Sequence, residues 1–167
     1  MNIFLTGFMG SGKSYWGQVW SAESGYRFYD LDTVIELQQQ KTIAQIFEEK
    51  GEPFFRALET EALHAFAGRS NCIIACGGGT PCFNHNMEWM NASGITVHLS
   101  ATPQEIIERV TGEQDKRPLI KGMSGEQLET FIAGKLQERN PYYLQAKYVL
   151  PVNALSASTI NDIIKNG

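Results

Sequence analysis

Eight residues near the amino terminus, Gly7-Phe8-Met9-Gly10-Ser11-Gly12-Lys13-Ser14, fit the spacing G-x-x-x-x-G-K-[ST]. Glycines at these places let successive backbone N–H groups converge on one anion with no Cβ in the way. A lysine beside them suits the β- and γ-phosphates of a nucleotide, and the serine hydroxyl that follows suits Mg²⁺. The flanks agree with this chemistry. Asn2-Ile3-Phe4-Leu5-Thr6 reads as a buried parallel strand, and a helix starting near Lys13, with Trp16, Val19 and Trp20 on one side, adds its positive N-terminal dipole. A chance glycine-rich turn would not bring all three features together. The stretch is read as a nucleoside triphosphate site, with Gly10, Ser11, Gly12, Lys13, Ser14 and Tyr15 around the phosphates.

Further polar residues fall where a second apolar run stops. Tyr26-Arg27-Phe28-Tyr29 ends in Asp30-Leu31-Asp32, two carboxylates one residue apart at a strand tip. Aspartate is also a favoured N-cap, and a helical pattern starts at Thr33, so one of the pair has an ordinary structural use as well. Most phosphate-loop proteins place an acid for Mg²⁺ at the end of a later strand. Here that strand, Cys72-Ile73-Ile74-Ala75-Cys76, closes in Gly77-Gly78-Gly79 instead, which leaves Asp30 as the natural metal partner of Ser14. Three glycines at a strand end permit very close approach of a ligand, though a tight turn is the plainer reading. Arg56 and Glu59 could be a surface pair of little worth. Arg139 could be a cation near a helix C-terminus. Residues 113–125, carrying Lys116, Arg117 and Lys121, lose apolar periodicity and read as a mobile lid or a solvated basic loop.

In this order the motifs resemble those of the shikimate kinases, a branch of the nucleoside monophosphate kinase-like P-loop proteins. The phosphate loop and Asp30-x-Asp32 come first. Thr42-Ile43-Ala44-Gln45-Ile46-Phe47, with Gly51-Glu52 closing it, and Phe55-Arg56-Ala57-Leu58-Glu59 follow. The glycine triplet, Arg117-Pro118-Leu119-Ile120 and Arg139-Asn140-Pro141-Tyr142-Tyr143 complete the series. The resemblance covers essentially the whole chain. It implies ATP and shikimate as substrates, with Mg²⁺ held by Ser14 and Asp30. It implies that Asp32 takes the proton of the 3-hydroxyl, and that Lys13 and Arg117 face the transferred phosphoryl group. Arg56 and Arg139 would grip the shikimate carboxylate, Glu59 would orient Arg56, and Gly77, Gly78 and Gly79 would lie against the ring. Tyr143 is expected to be structural. The chain departs from the family in lacking an arginine in Asn153-Ala154-Leu155-Ser156, which leaves Arg109 as a candidate for stacking on adenine. Tyr15 and Trp20 replace a commoner threonine and leucine and are expected on the packing side.

To deliver these residues to one place the chain needs strands ending together. Strand patterns near 2–6, 26–30, 71–76, 95–99 and 147–152 alternate with helical ones, the last two helices near 125–138 and 158–166. Such alternation predicts a three-layer α/β fold: a five-stranded parallel sheet covered by helices on both faces. Ligands of such sheets lie beyond the carboxyl ends of the strands. The 167 residues are read as one domain, with a substrate-binding segment at about 31–61 and the lid at about 112–125. A hydrophobic content of 43%, a charge of −4 and the absence of a leader pattern point to a cytoplasmic monomer with no affinity for nucleic acid or membrane. Cys72, Cys76 and Cys82 are odd in number and match no zinc pattern. Cys72 and Cys76 in one strand stand about 13 Å apart, beyond the roughly 7 Å reach of a disulfide. His64, His85 and His98 are scattered and read as surface or core residues. Two rivals stay open: a kinase of this fold for gluconate or a nucleoside monophosphate, and a nucleotide-sensing module without turnover. The lack of Asn-Lys-x-Asp and Asp-x-x-Gly stretches counts against a GTPase switch.

Overall fold

Five strands form one all-parallel sheet in the order β2-β3-β1-β4-β5. They are β1 (Asn2–Thr6), β2 (Arg27–Asp30), β3 (Cys72–Ala75), β4 (Gly94–Ser100) and β5 (Tyr148–Pro151). The computed structural model describes residues 1–167 apart from the side chains of Lys116 and Pro118. Seven α-helices lie between the strands and an eighth follows β5: α1 (Lys13–Ser24), α2 (Leu31–Gln39), α3 (Ile43–Lys50), α4 (Glu52–His64), α5 (Asn86–Ser93), α6 (Pro103–Val110), α7 (Gly125–Tyr143) and α8 (Thr159–Asn166). The alternating pattern in the sequence therefore yields the expected layers.

Side-chain alternation along β1 divides the core. Ile3 and Leu5 point to a layer with Trp20, Val152, Ile160 and Ile163, while Phe4 points to the opposite layer with Leu31, Ile35, Phe55 and Leu63. A third cluster of Phe8, Ile106, Val110, Ile120, Leu128 and Ile132 packs α6 and α7 against the loop after β1. Ile120, inside the segment expected to be a lid, is fully buried there. The segment thus carries one apolar anchor between two short 3₁₀ turns, Gln114–Lys116 and Pro118–Ile120.

Register decides where the polar residues meet. Leu5 of β1 is paired with Ala75 of β3, and Ala75 with Asp30 of β2. Three strands therefore finish abreast, and each is followed within two residues by a polar or glycine-rich segment. The phosphate loop leaves β1, Asp32 follows β2, and Gly77 follows β3. In such a sheet the crevice beyond the central strand's carboxyl end is where ligands sit.

One boundary differs from the sequence reading. α7 does not stop at Arg139 but runs through Pro141 to Tyr143. Proline removes only its own N–H from the ladder, and Leu144 N–H still donates to the Asn140 carbonyl at 2.9 Å. Arg139 and Tyr143, four residues apart, consequently share a face.

α1 is seated by an unusually close contact. A Cβ on Gly17 would stand 2.3 Å from Phe28 Cε2. Gly17→Ala is expected to push α1 off β2 and destabilise the fold by about 1–3 kcal/mol, as overpacking commonly does. Urea unfolding measures this, and an unchanged midpoint would mean that Phe28 simply moves aside.

Candidate functional site

The loop after β1 adopts the shape its glycines permit. Gly10 and Gly12 have φ of 76° and 89°, in the left-handed region that a side chain disfavours. Lys13, first residue of α1, folds back over the loop, and its Nζ donates to the carbonyls of Gly7 (2.7 Å) and Phe8 (3.0 Å). Burial pushes its ammonium down to about 8, with Asp32 acting against the fall. Ser14 Oγ donates to Asp30 Oδ2 at 2.7 Å. The other oxygen of Asp30 accepts from the backbone N–H of Asp32 (3.1 Å) and Thr33 (3.3 Å), capping α2. Asp30 therefore performs the capping role and still presents one oxygen beside Ser14.

Asp32 sits in the first turn of α2 with Oδ1 buried and without a partner among the described residues. Burial, then the neighbouring charges of Asp30 and Glu59, push its carboxyl up to about 6 against the pull of Lys13. A half-buried carboxylate with an empty acceptor oxygen is costly in a fold and useful to a passing proton.

The three glycines after β3 make room for charge. A Cβ on Gly77 would lie 2.9 Å from Glu59 Oε2 and 3.3 Å from Asp32 Oδ1. On Gly78 it would lie 3.0 Å from Arg139 Nη1, and on Gly79 2.6 Å from Arg56 Nη2. Two carboxylates, one guanidinium and a second guanidinium thus face three consecutive α-carbons. The two arginines come from α4 and α7, which are remote in sequence.

Arg56 is held firmly. Its Nη1 donates to Glu59 Oε1 at 2.9 Å, and Nε and Nη2 donate to Glu52 Oε1 at 3.3 and 3.2 Å. The guanidinium lies over Phe83, 4.1 Å from the ring centroid. Glu59 is itself 1% exposed and accepts from Thr80 Oγ1 at 2.6 Å. Glu52, read from the sequence only as the close of the motif that starts at Thr42, is a partner of Arg56 that sequence reasoning missed. Its position at i−4 on the same helix was the available signal. Arg139 stands over Phe8 with its guanidinium 5.3 Å from the ring centroid.

A cleft of about 800 Å³ opens beside these groups, lined by the loop glycines, Lys13, Ser14, Asp30, Asp32, Gly77 and Gly78. Arg109, Glu113 and Arg117 line its other wall. Arg117 Nη2 donates to Glu113 Oε2 at 3.4 Å. Arg109 Nη1 donates to the Gly10 carbonyl at 3.1 Å, which ties α6 to the loop. Tyr15 departs from its expected place on the packing side. It is 65% exposed, borders the cleft and meets Trp16 edge-to-face, because its position on α1 points away from the sheet. Trp20, one turn further, is buried as expected. Lys121 is exposed and does not border the cleft. The side chain of Lys116, another cation expected near the nucleotide, lies outside the described residues. His98 is buried and stacks on Tyr143, and burial lowers it to about 4, so it stays neutral. Cys72, Cys76 and Cys82 are free thiols.

Comparison with known proteins bears on this geometry. A family model described as shikimate kinase matches residues 9–166. The shikimate kinase of Parabacteroides distasonis is 43% identical over 162 residues, which is 96% of this chain and 94% of the relative. The crystal structure of shikimate kinase from Bacteroides thetaiotaomicron superposes with a TM-score of 0.89 at 37% identity, covering 99% of this chain and 95% of that one. A structure of shikimate kinase from Acinetobacter baumannii in complex with shikimate gives a TM-score of 0.86 at 32% identity, covering 99% of this chain and 91% of that one.

The buried Glu59 generates a test of how Arg56 is supported. Glu59→Ala should lower unfolding free energy by about 3 kcal/mol, since it strips a mostly buried guanidinium of its inner partner. A loss below about 1 kcal/mol on urea denaturation would mean that Glu52 and Phe83 suffice.

Proposed function

Because the chain belongs to the shikimate kinase family, we infer that its cleft transfers the γ-phosphoryl group of ATP to the 3-hydroxyl of shikimate. The products are ADP and shikimate 3-phosphate, and the step belongs to chorismate and aromatic amino-acid biosynthesis. The observation that carries the reading is the row of Asp32, Arg139 and Arg56 along Gly77, Gly78 and Gly79, next to a phosphate loop.

The acceptor's carboxylate lies between Arg56 and Arg139, whose planar forks suit two-point hydrogen bonding. That anchoring sets the ring against the glycines and leaves one hydroxyl beside Asp32. Asp32 accepts the hydroxyl proton on Oδ1 as the oxygen attacks phosphorus in line with the leaving group. A group poised near 6 is ionised at neutral pH yet remains basic enough to take a proton. Lys13 leaves the loop carbonyls for the β- and γ-phosphates, and Arg117 leaves Glu113 for the transferred group. Glycine amides and the α1 N-terminus hold the remaining phosphate oxygens.

Mg²⁺ fits the residues present. Ser14 Oγ and Asp30 Oδ2 are 2.7 Å apart at the mouth of the loop, and capping α2 occupies only the other Asp30 oxygen. Those two would hold the ion directly or through water, and it would neutralise phosphate charge.

The reading takes residues 31–61 as the substrate segment and 112–125 as a lid that excludes water. The reading takes the protein as a monomer, and three free thiols support a reducing, cytoplasmic setting. No described helix is long and apolar enough to cross a membrane.

ADP release with shikimate, gluconate or AMP as acceptor tests the assignment. Release with shikimate alone is expected. A response only to gluconate or AMP would transfer the site to another kinase of this fold, and none at all would leave a nucleotide sensor.

Two residue-level outcomes follow from the site. Asp32→Asn should lower kcat by about 10²–10⁴. The folded carboxyl sits near 6 against an ordinary 3.8, so the fold favours its neutral form. That contribution is complete below pH 4 and is lost as pH rises to 6. Above that window Asp32→Asn should therefore be more stable than the parent, by about 1–3 kcal/mol. kcat/KM for shikimate should fall tenfold per unit below pH 6. A flat profile between pH 5 and 8 would remove Asp32 as the base. Arg139→Ala should raise KM for shikimate at least tenfold while KM for ATP moves less than threefold, the pattern of one lost charged hydrogen bond. Equal rises would tie Arg139 to the lid or the fold.

A further inference from the structure

Trp16 lies in the first turn of α1, half-buried, and lines the cleft together with Arg109 and Val152. Neighbouring rings fix its plane: Tyr15 packs on it at 5.3 Å and 80°, and Trp20 at 5.8 Å and 37°. Trp20 donates its indole N–H to the Ser156 carbonyl at 2.9 Å, which ties α1 to the turn after β5. The indole N–H of Trp16 has no acceptor among the described residues, whereas a tryptophan N–H drawn out of water ordinarily finds one. The Cδ1–Nε1 edge that carries it approaches the phosphate loop, 3.4 and 3.8 Å from where a Cβ on Gly12 would stand. Arg109 Nη1, which donates to the Gly10 carbonyl, is 3.3 Å from that same point. A neutral donor edge and a guanidinium therefore meet over Gly12.

We propose that Trp16 is a nucleotide-binding residue whose indole N–H donates to the nucleoside part of ATP, beside the Arg109 guanidinium. This rests on the reading of the cleft as an ATP site. The backbone N–H of Trp16 is already bonded to the Gly12 carbonyl at 2.9 Å, so the residue stands past the free amides that can hold phosphate. Its side chain reaches the part of the ligand that follows. A neutral N–H suits a ribose oxygen or a ring nitrogen of the base, and inorganic pyrophosphate has neither. The turn Asn153-Ala154-Leu155-Ser156 brings no arginine to this end of the cleft, which leaves the uncommitted indole donor to serve there. Because Tyr15 and Trp20 already hold the ring, little side-chain freedom is lost when the nucleotide arrives.

Trp16→Phe keeps an aromatic ring against Trp20 and removes the donor. Calorimetric titration with ADP should show affinity weakened about 3- to 10-fold, the effect of one hydrogen bond, while pyrophosphate binds as it does to the parent. KM for ATP should rise by the same factor, with KM for shikimate unchanged. A tryptophan that merely seats α1 would disturb the phosphate loop and weaken ADP and pyrophosphate alike, and that result would overturn the proposal, as would unchanged affinity for both. The parent protein supplies a second measurement that does not depend on the variant folding. In ¹⁵N-labelled protein, ADP should move the Trp16 indole proton downfield and pyrophosphate should not, with the Trp20 indole, bonded to Ser156, as the internal reference. A Trp16 indole left in place by ADP, or moved equally by pyrophosphate, also overturns it. A parent that binds ADP and phosphorylates shikimate with an unmoved Trp16 indole refutes only the role of Trp16, whereas one that binds no ADP refutes the reading of the cleft.

Discussion

Parallel register is the constraint from which the site follows. Leu5, Ala75 and Asp30 stand abreast in three adjacent strands, so the chain leaves the sheet at one level three times. A one-residue slip of β2 would send Phe28 and Tyr29 to each other's core layer and carry Asp32 away from the loop. The packing of Tyr29 with the layer of Phe4, Ile74 and Leu31, and of Phe28 with that of Ile3, Ile73 and Trp20, is what opposes that slip. Core packing thereby sets the spacing of groups that it does not touch.

Around that level the protein carries charges in places where burial disfavours them. Asp32 is raised and Lys13 is lowered by the same cause, loss of water, and each partly relieves the other. Arg56 and Glu59 answer the same difficulty with direct hydrogen bonds. The contrast separates two uses of a buried charge. Arg56 is pinned by three hydrogen bonds, which fix its orientation and leave two N–H donors spare. Asp32 is left with an empty oxygen, so it can take up a proton. The glycine triplet allows both, because any side chain there would occupy the volume the charged groups need.

The nucleotide end is built differently. Lys13 rests on its own loop and Arg117 rests on Glu113, so both cations are held by internal contacts. Ile120 anchors the segment that carries Arg117 in the third core cluster, against Phe8 of the loop. Tyr15, exposed at the rim beside Trp16, gives this wall an aromatic character that the phosphate-loop motif does not specify.

Much of this was legible in the chain itself, and the reason is locality. The phosphate loop, the acid pair, the capping of α2 and the five strand patterns depend on neighbours within a few residues, where glycine, aspartate and apolar periodicity act directly. Glu59 as a support for Arg56 was legible because three residues on a helix share a face. Which aspartate caps and which stays free was not, since the two stand one residue apart and only the exact start of α2, with Asp30 at the N-cap and Asp32 inside the first turn, decides. Nor could the sequence turn Tyr15 outward, carry α7 past Pro141, or bring Arg139, Arg56 and Asp32 to successive glycines. Those outcomes depend on contacts between segments up to a hundred residues apart, and local propensity holds no information about distances of that kind. The sequence determined which groups were available and how each strand and helix would form. Tertiary packing alone decided which of those groups would face one another.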